Sequence, residues 1–76
     1  MKATIWSRDL CVYCDRAKSL LTAKGIEFEE RKIGDGWTRE QLMEAVPDAR
    51  SVPQIFLDGK SIQGGFNGLK QELAKN

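Results

Sequence analysis

The chain has no histidine, and only two cysteines and two prolines among its 76 residues. A closed zinc site needs four ligands, and this chain can offer two thiolates and no imidazole. Only a symmetric dimer sharing one metal would complete such a site. Charge of one sign is also missing, since 12 Lys and Arg face 11 Asp and Glu for a net +1. Bulk charge therefore argues for neither a nucleic acid nor a membrane partner. No apolar run approaches the roughly 20 residues that a membrane helix requires. Met1-Lys2-Ala3-Thr4-Ile5 runs directly into a strand pattern, without the apolar core of an export signal. Repeats, low-complexity tracts and linkers are absent too. What remains is an ordinary folding composition, 41% hydrophobic and 30% charged, in a length that suits one domain over residues 1–76.

Both cysteines fall in one stretch, Cys11-Val12-Tyr13-Cys14. Ala3-Thr4-Ile5-Trp6 reads as a strand before it, and Ala17, Leu20 and Leu21 hold a 3.6-residue period after it, so a helix starts at or near Cys11. Positions i and i+3 share a helix face, which lets the two sulfurs meet within one turn. The unpaired N–H groups of that turn and the helix dipole favour a negative charge there. A free cysteine titrates near 8.5, whereas C-x-x-C cysteines at helix N-termini fall between about 3.5 and 7.5. A static structural disulfide is disfavoured, because so short a loop constrains the unfolded chain little. Redox chemistry at a dithiol is the favoured reading, and with no export signal it fits a reducing cytoplasm.

Along the chain, Lys2–Trp6 is strand one, apolar on both faces as in a central strand. Ser7–Leu10 is a loop with Asp9 as the expected N-cap, and helix one runs to about Lys24. Its inner stripe is Cys14, Ala17 and Leu21, with Asp15, Arg16, Lys18 and Thr22 facing water and Gly25 as C-terminal cap. Ile26–Glu29 alternates as a half-exposed strand, and its charged continuation Glu30–Lys32 suits a sheet edge. Gly34–Gly36 turns the chain. Thr38–Gln41 matches a capping box for a short helix through Val46, which Pro47 stops. Val52–Leu57 is strand three, Asp58-Gly59 a two-residue hairpin turn, and Lys60–Gln63 strand four. After Gly64-Gly65, the residues Phe66, Leu69 and Leu73 mark a last amphipathic helix. The order β-α-β-α-β-β-α gives an α/β fold, with a four-stranded mixed sheet flanked by three helices.

Three segments carry a family resemblance: Cys11–Cys14, Ala49–Phe56 and Ile62–Phe66. Together, and in this order, they resemble the glutaredoxins of the thioredoxin-fold superfamily, in particular compact bacterial and phage forms. The resemblance implies that Cys11 is the attacking thiolate and Cys14 the resolving thiol, joined as a redox-active disulfide when oxidised. It implies a glutathione site in which Arg8 replaces the usual lysine and Tyr13 flanks the groove. Val52 pairs its backbone with the cysteinyl part of glutathione before a cis Pro53, and Gly65, Phe66 and Asn67 receive the γ-glutamyl end. Arg50 joins Arg8 as a carboxylate contact. Read from residue type alone, Tyr13 also suits a packing aromatic, and Arg8 and Arg50 suit solvated charges. Val12 stands where proline is commoner, Asn67 where aspartate or serine is usual, and Gly68 where a second aspartate often lies.

The implied activity is glutathione-dependent reduction of protein disulfides and glutathione mixed disulfides by a monomer, with ribonucleotide reductase as a client by family analogy. No bound metal, nucleic acid or membrane enters this expectation. Two alternatives accompany it. One is a glutaredoxin-like redoxin reduced by thioredoxin reductase; the other is a dimer holding a [2Fe–2S] cluster with Cys11 and two glutathiones.

Overall fold

Alternation along one strand sets the layering of the molecule. In the computed structural model, which describes residues 1–75, β1 spans Lys2–Ser7. Ala3, Ile5 and Ser7 turn to one face and are buried, while Thr4 and Trp6 turn to the other. Trp6 is buried as well, so β1 is covered on both faces, as a central strand must be. On one side it pairs in parallel with β2 (Glu27–Lys32), where Ile5 lies opposite Glu30. On the other it pairs antiparallel with β3 (Gln54–Leu57), where Ile5 meets Ile55. A short β4 (Lys60–Ile62) completes the sheet in the order β2-β1-β3-β4.

Helices α1 (Val12–Ala23) and α3 (Gly65–Ala74) pack on the face that carries Ala3 and Ile5. Ala17 and Leu21 from α1 and Leu69 from α3 join Ile55, Leu57 and Ile62 in one core. Truncating a fully buried leucine such as Leu21 or Leu69 to alanine removes both transfer energy and packing, about 2–5 kcal/mol. Helix α2 (Arg39–Ala45) lies on the opposite side, where Ala45 shares a shallow hollow with Thr4, Trp6 and Phe56. The expected βαβαββα architecture with its mixed sheet and three helices is therefore the one observed.

Local signals act where the sequence places them. The Thr38 hydroxyl accepts from the Gln41 N–H at 3.2 Å, and the Gln41 side chain accepts from the Thr38 N–H at 2.8 Å, a complete capping box. At the end of α1 the Gly25 N–H bonds to Thr22 O and the Ile26 N–H to Leu21 O. This is the Schellman arrangement, and it brings Ile26 onto the core. Asp58 and Gly59 both have positive φ, as a type I′ hairpin requires.

Several boundaries differ from the sequence reading. Asp9 does not cap α1, because Cys11 is itself extended (φ −117°, ψ 101°) and serves as N-cap. The Asp9 carboxylate reaches instead to Lys32 at 2.6 Å, tying the loop to the end of β2. Strand β3 starts at Gln54 rather than Val52: Pro53 has no N–H to give to a ladder, and the Val52–Pro53 peptide is cis. Ile26 belongs to the helix cap rather than to β2, Val46 ends α2 as its C-cap, and Gln63 lies beyond β4. Lys18 leans inward on Glu30 instead of facing water.

Candidate redox site

Strand β1 ends beneath the N-terminus of α1, and Arg8, Asp9 and Leu10 carry the chain from it to the N-cap Cys11. Because Cys11 takes extended backbone at the cap, its side chain folds back over the first turn. The N–H of Cys14 donates to Cys11 Sγ at 3.1 Å. The two sulfurs are joined as a disulfide, with Cα atoms 5.2 Å apart. Cys14 is fully covered and Cys11 retains 8% exposure, so Cys11 is the more accessible cysteine of the pair although it too is buried. The N-terminal N–H groups of α1 favour negative charge at this sulfur over the neutral thiol. Cys11 Sγ also lies 3.9 Å from the carbonyl oxygen of Val52, so the loop before β3 abuts the disulfide.

That loop divides two hollows. On one side Tyr13, Val52, Pro53, Gly65, Phe66 and Asn67 line a groove of about 540 Å³. Tyr13 and Phe66 face each other across it, ring centroids 6.2 Å apart, and Arg16 lies 5.3 Å from the Tyr13 ring. On the other side Arg8 and Arg50 line a separate pocket of about 200 Å³, to which Val52 and Ser51 also contribute. Six of the eight expected glutathione-site residues thus share one groove, and the two arginines stand behind the Val52 wall.

A third arginine in that pocket, Arg39, was not singled out in the sequence. A signal was available: Arg39 is the first residue of α2, where the dipole disfavours a cation. Among the described residues none of the three guanidiniums makes an ion pair, so the pocket presents concentrated positive charge to an anion.

A second polar group lies under the site. Buried Ser7, the last residue of β1, donates its hydroxyl to Glu30 Oε2 at 2.6 Å, and Lys18 Nζ donates to the same oxygen at 2.9 Å. Asp15 completes the chain 3.5 Å from Lys18. The Ser7 bond first, then Lys18, holds the Glu30 carboxyl below its ordinary range. Glu30 in turn raises Lys18. The network ties α1 to the ends of β1 and β2 one turn from the disulfide. Trp6 and Trp37 meet edge to face at 5.3 Å, with Arg31 over both rings.

Gly68 explains one departure from the family pattern. A Cβ at this position would lie 1.7 Å from the carbonyl oxygen of Gln63, so no side chain fits there unless the backbone moves. The first turn of α3 is thereby packed directly against the end of the β4 segment, which sets Phe66 and Asn67 at the groove. Among the described residues no cluster of three or more His, Cys, Asp or Glu could hold a metal ion, and no helix is long and apolar enough to cross a membrane.

Comparison with known proteins agrees with this geometry. The glutaredoxin family model matches residues 3–62. Glutaredoxin 3 of Escherichia coli K12 is 41% identical over 61 residues, covering 79% of this chain and 72% of that protein. The solution structure of reduced Escherichia coli glutaredoxin superposes with a TM-score of 0.79 at 32% identity, covering 100% of this chain and 96% of the other. A buckwheat glutaredoxin solved as a glutathione complex superposes with a TM-score of 0.68 at 27% identity, over 93% of this chain and 66% of that one. A family model that spans most of the chain, and a relative at 41% identity over most of both proteins, agree with the fold and the Cys11–Cys14 pair at the start of α1: the chain belongs to the glutaredoxin family of thiol oxidoreductases.

Proposed function

We propose that residues 1–76 act as a single, monomeric domain that catalyses glutathione-dependent thiol–disulfide exchange in a reducing cytoplasm. Its substrates are protein disulfides and glutathione mixed disulfides, and ribonucleotide reductase is a fitting protein client. The observation that carries this reading is the Cys11–Cys14 disulfide at the tip of α1, with the Cys14 N–H on the sulfur of the more accessible cysteine.

In the reduced protein the Cys11 thiolate attacks one sulfur of the substrate disulfide. A mixed disulfide forms, and the departing substrate sulfur takes up a proton. Cys14, buried and one turn inside, then loses its proton and attacks Cys11 Sγ. The second substrate thiol leaves, and the Cys11–Cys14 pair holds the two-electron oxidation. Two glutathione thiols restore the dithiol and leave as glutathione disulfide. Family potentials of about −200 to −230 mV lie within reach of a glutathione pool near −220 to −260 mV.

Glutathione fits the divided site in its parts. The groove of about 540 Å³ is within the usual range for small-molecule sites. Tyr13 and Phe66 offer apolar walls, and the Val52 main chain beside Pro53 offers peptide hydrogen bonds to the cysteinyl unit. Gly65 and Asn67 at the start of α3 offer donors to the γ-glutamyl carboxylate, and Arg8, Arg50 and Arg39 offer cations to the glycyl carboxylate. The buckwheat relative was solved as a glutathione complex, which supports glutathione as the ligand.

The test is a comparison of reductants. Oxidised protein is mixed either with glutathione or with thioredoxin reductase and NADPH, and the appearance of the dithiol is followed. Reduction by glutathione at the faster rate is expected. Reduction by thioredoxin reductase alone would overturn the glutathione assignment and leave the thiol chemistry in place.

A further inference from the structure

Leu10 is poorly matched to the isolated molecule in two independent ways. Its φ is +56°, in the left-handed region that a bulky side chain avoids. Its side chain is also fully exposed to water. Glycine or asparagine would suit both the backbone and the solvent. A backbone outlier of this kind points to a function when it sits beside a reactive group, and Leu10 immediately precedes Cys11.

The exposure is not scattered. Among the described residues five large hydrophobics are exposed, and Leu10, Val12 and Tyr13 are three of them. Exposed hydrophobics grouped beside a reactive group, as these three are on either side of Cys11, mark an interaction surface, whereas single scattered ones do not. Leu10 and Val12 line neither the groove nor the arginine pocket, so glutathione bound in those hollows leaves them uncovered. Cys11 has only 8% exposure. A disulfide that reaches its sulfur must bring its own flanking chain down across this surface.

We propose that Leu10, with Val12 beside it, is a specificity surface for protein clients that carry an apolar side chain next to the reactive cysteine. The inference rests on the thiol-exchange reading above and adds the class of client. The chemistry is the exchange already balanced: Cys11 Sγ bonds to the client sulfur, the client disulfide breaks, and Cys14 later displaces the client as a thiol. The apolar contact acts in the encounter and in the mixed disulfide, and is lost when the client leaves.

Short synthetic peptides, each closed by one internal disulfide and differing only in leucine or serine beside its cysteines, supply the test. Each is turned over by the wild type and by Leu10→Asn, with glutathionylated cysteine as the small reference substrate. The wild type should favour the leucine peptide by about tenfold in kcat/KM, the scale of a modest apolar contact. Leu10→Asn should lose most of that preference, keep its rate on glutathionylated cysteine within about twofold, and unfold at an equal or higher temperature. No preference in the wild type, or a preference that survives in Leu10→Asn, would overturn the specificity surface while the turnover of glutathionylated cysteine showed the thiol chemistry intact. No turnover of any substrate would remove the exchange reading, and the client class with it.

Discussion

The main-chain N–H of Cys14 points at Cys11 Sγ across 3.1 Å, so one cysteine supplies the first capping bond of the helix that the other begins. The donor belongs to the backbone and survives any change of the Cys14 side chain. In reduced Cys14→Ser, therefore, the Cys11 thiolate should still be favoured by this N–H and by the dipole of α1. Ultraviolet absorbance of the thiolate during a pH titration should rise well below the ordinary cysteine range near 8.5. A midpoint at about 8 or above would show that the cap does not act on the sulfur.

Arg8, Arg39 and Arg50 converge on one pocket behind Val52. Replacing any of them by alanine should raise KM for glutathionylated substrates, on the order of tenfold for a lost charge-assisted bond, with kcat changed less. High salt should narrow the difference between variant and wild type. Unchanged KM in all three variants would make them surface charges.

The Ser7–Glu30–Lys18 network gives a pH signature. The Glu30 carboxyl is held below its ordinary 4.5, chiefly by the Ser7 hydroxyl and then by Lys18. Its contribution to stability is thus present above pH 4.5 and is lost as pH falls through the lower folded value. Lys18 is raised above 10.5 through Glu30, so its contribution is full below that pH and is lost as pH rises through the folded value. Denaturant midpoints from about pH 2 to 7 should fall on the acid side for the wild type and fall less for Glu30→Gln. Parallel curves for the two proteins would exclude the network as a source of acid sensitivity.

Gly68 admits no side chain, because the Cβ would strike the Gln63 carbonyl at 1.7 Å. Gly68→Ala, and more so Gly68→Asp, should lower Tm by about 10 °C or more, as expected when a packed contact is overfilled. An aspartate introduced at this position would therefore destabilise this chain. A thermal melt that matches the wild type would contradict the close approach of α3 to the end of β4.

Much of this was legible in the sequence, for local reasons. The Thr38–Gln41 box, the Gly25 cap and the Asp58-Gly59 turn are decided within a few residues, and each appears where expected. What the sequence hid depends on contacts between distant segments. Asp9 looks like a cap until Lys32 is brought within 2.6 Å of it. Lys18 looks solvated until parallel pairing places Glu30 beside Ser7 and α1. Arg39 joins Arg8 and Arg50 only because the turn after β2 folds the start of α2 against the Val52 loop. The left-handed backbone of Leu10 has no sequence signature, since leucine is among the last residues expected there.

The unequal burial of the two cysteines, 8% exposure for Cys11 and none for Cys14, assigns different work to each in the proposed exchange. Parallel turnover of a glutathionylated small thiol and of a protein disulfide by Cys11→Ser and Cys14→Ser tests this most directly. Cys11→Ser should be inactive on both, because no other thiol in the chain can attack. Cys14→Ser should keep activity on the small substrate, where a second glutathione resolves the intermediate, and should stall on the protein disulfide as a covalent adduct. Equal losses of Cys14→Ser on both substrates, or activity retained by Cys11→Ser, would contradict the assignment.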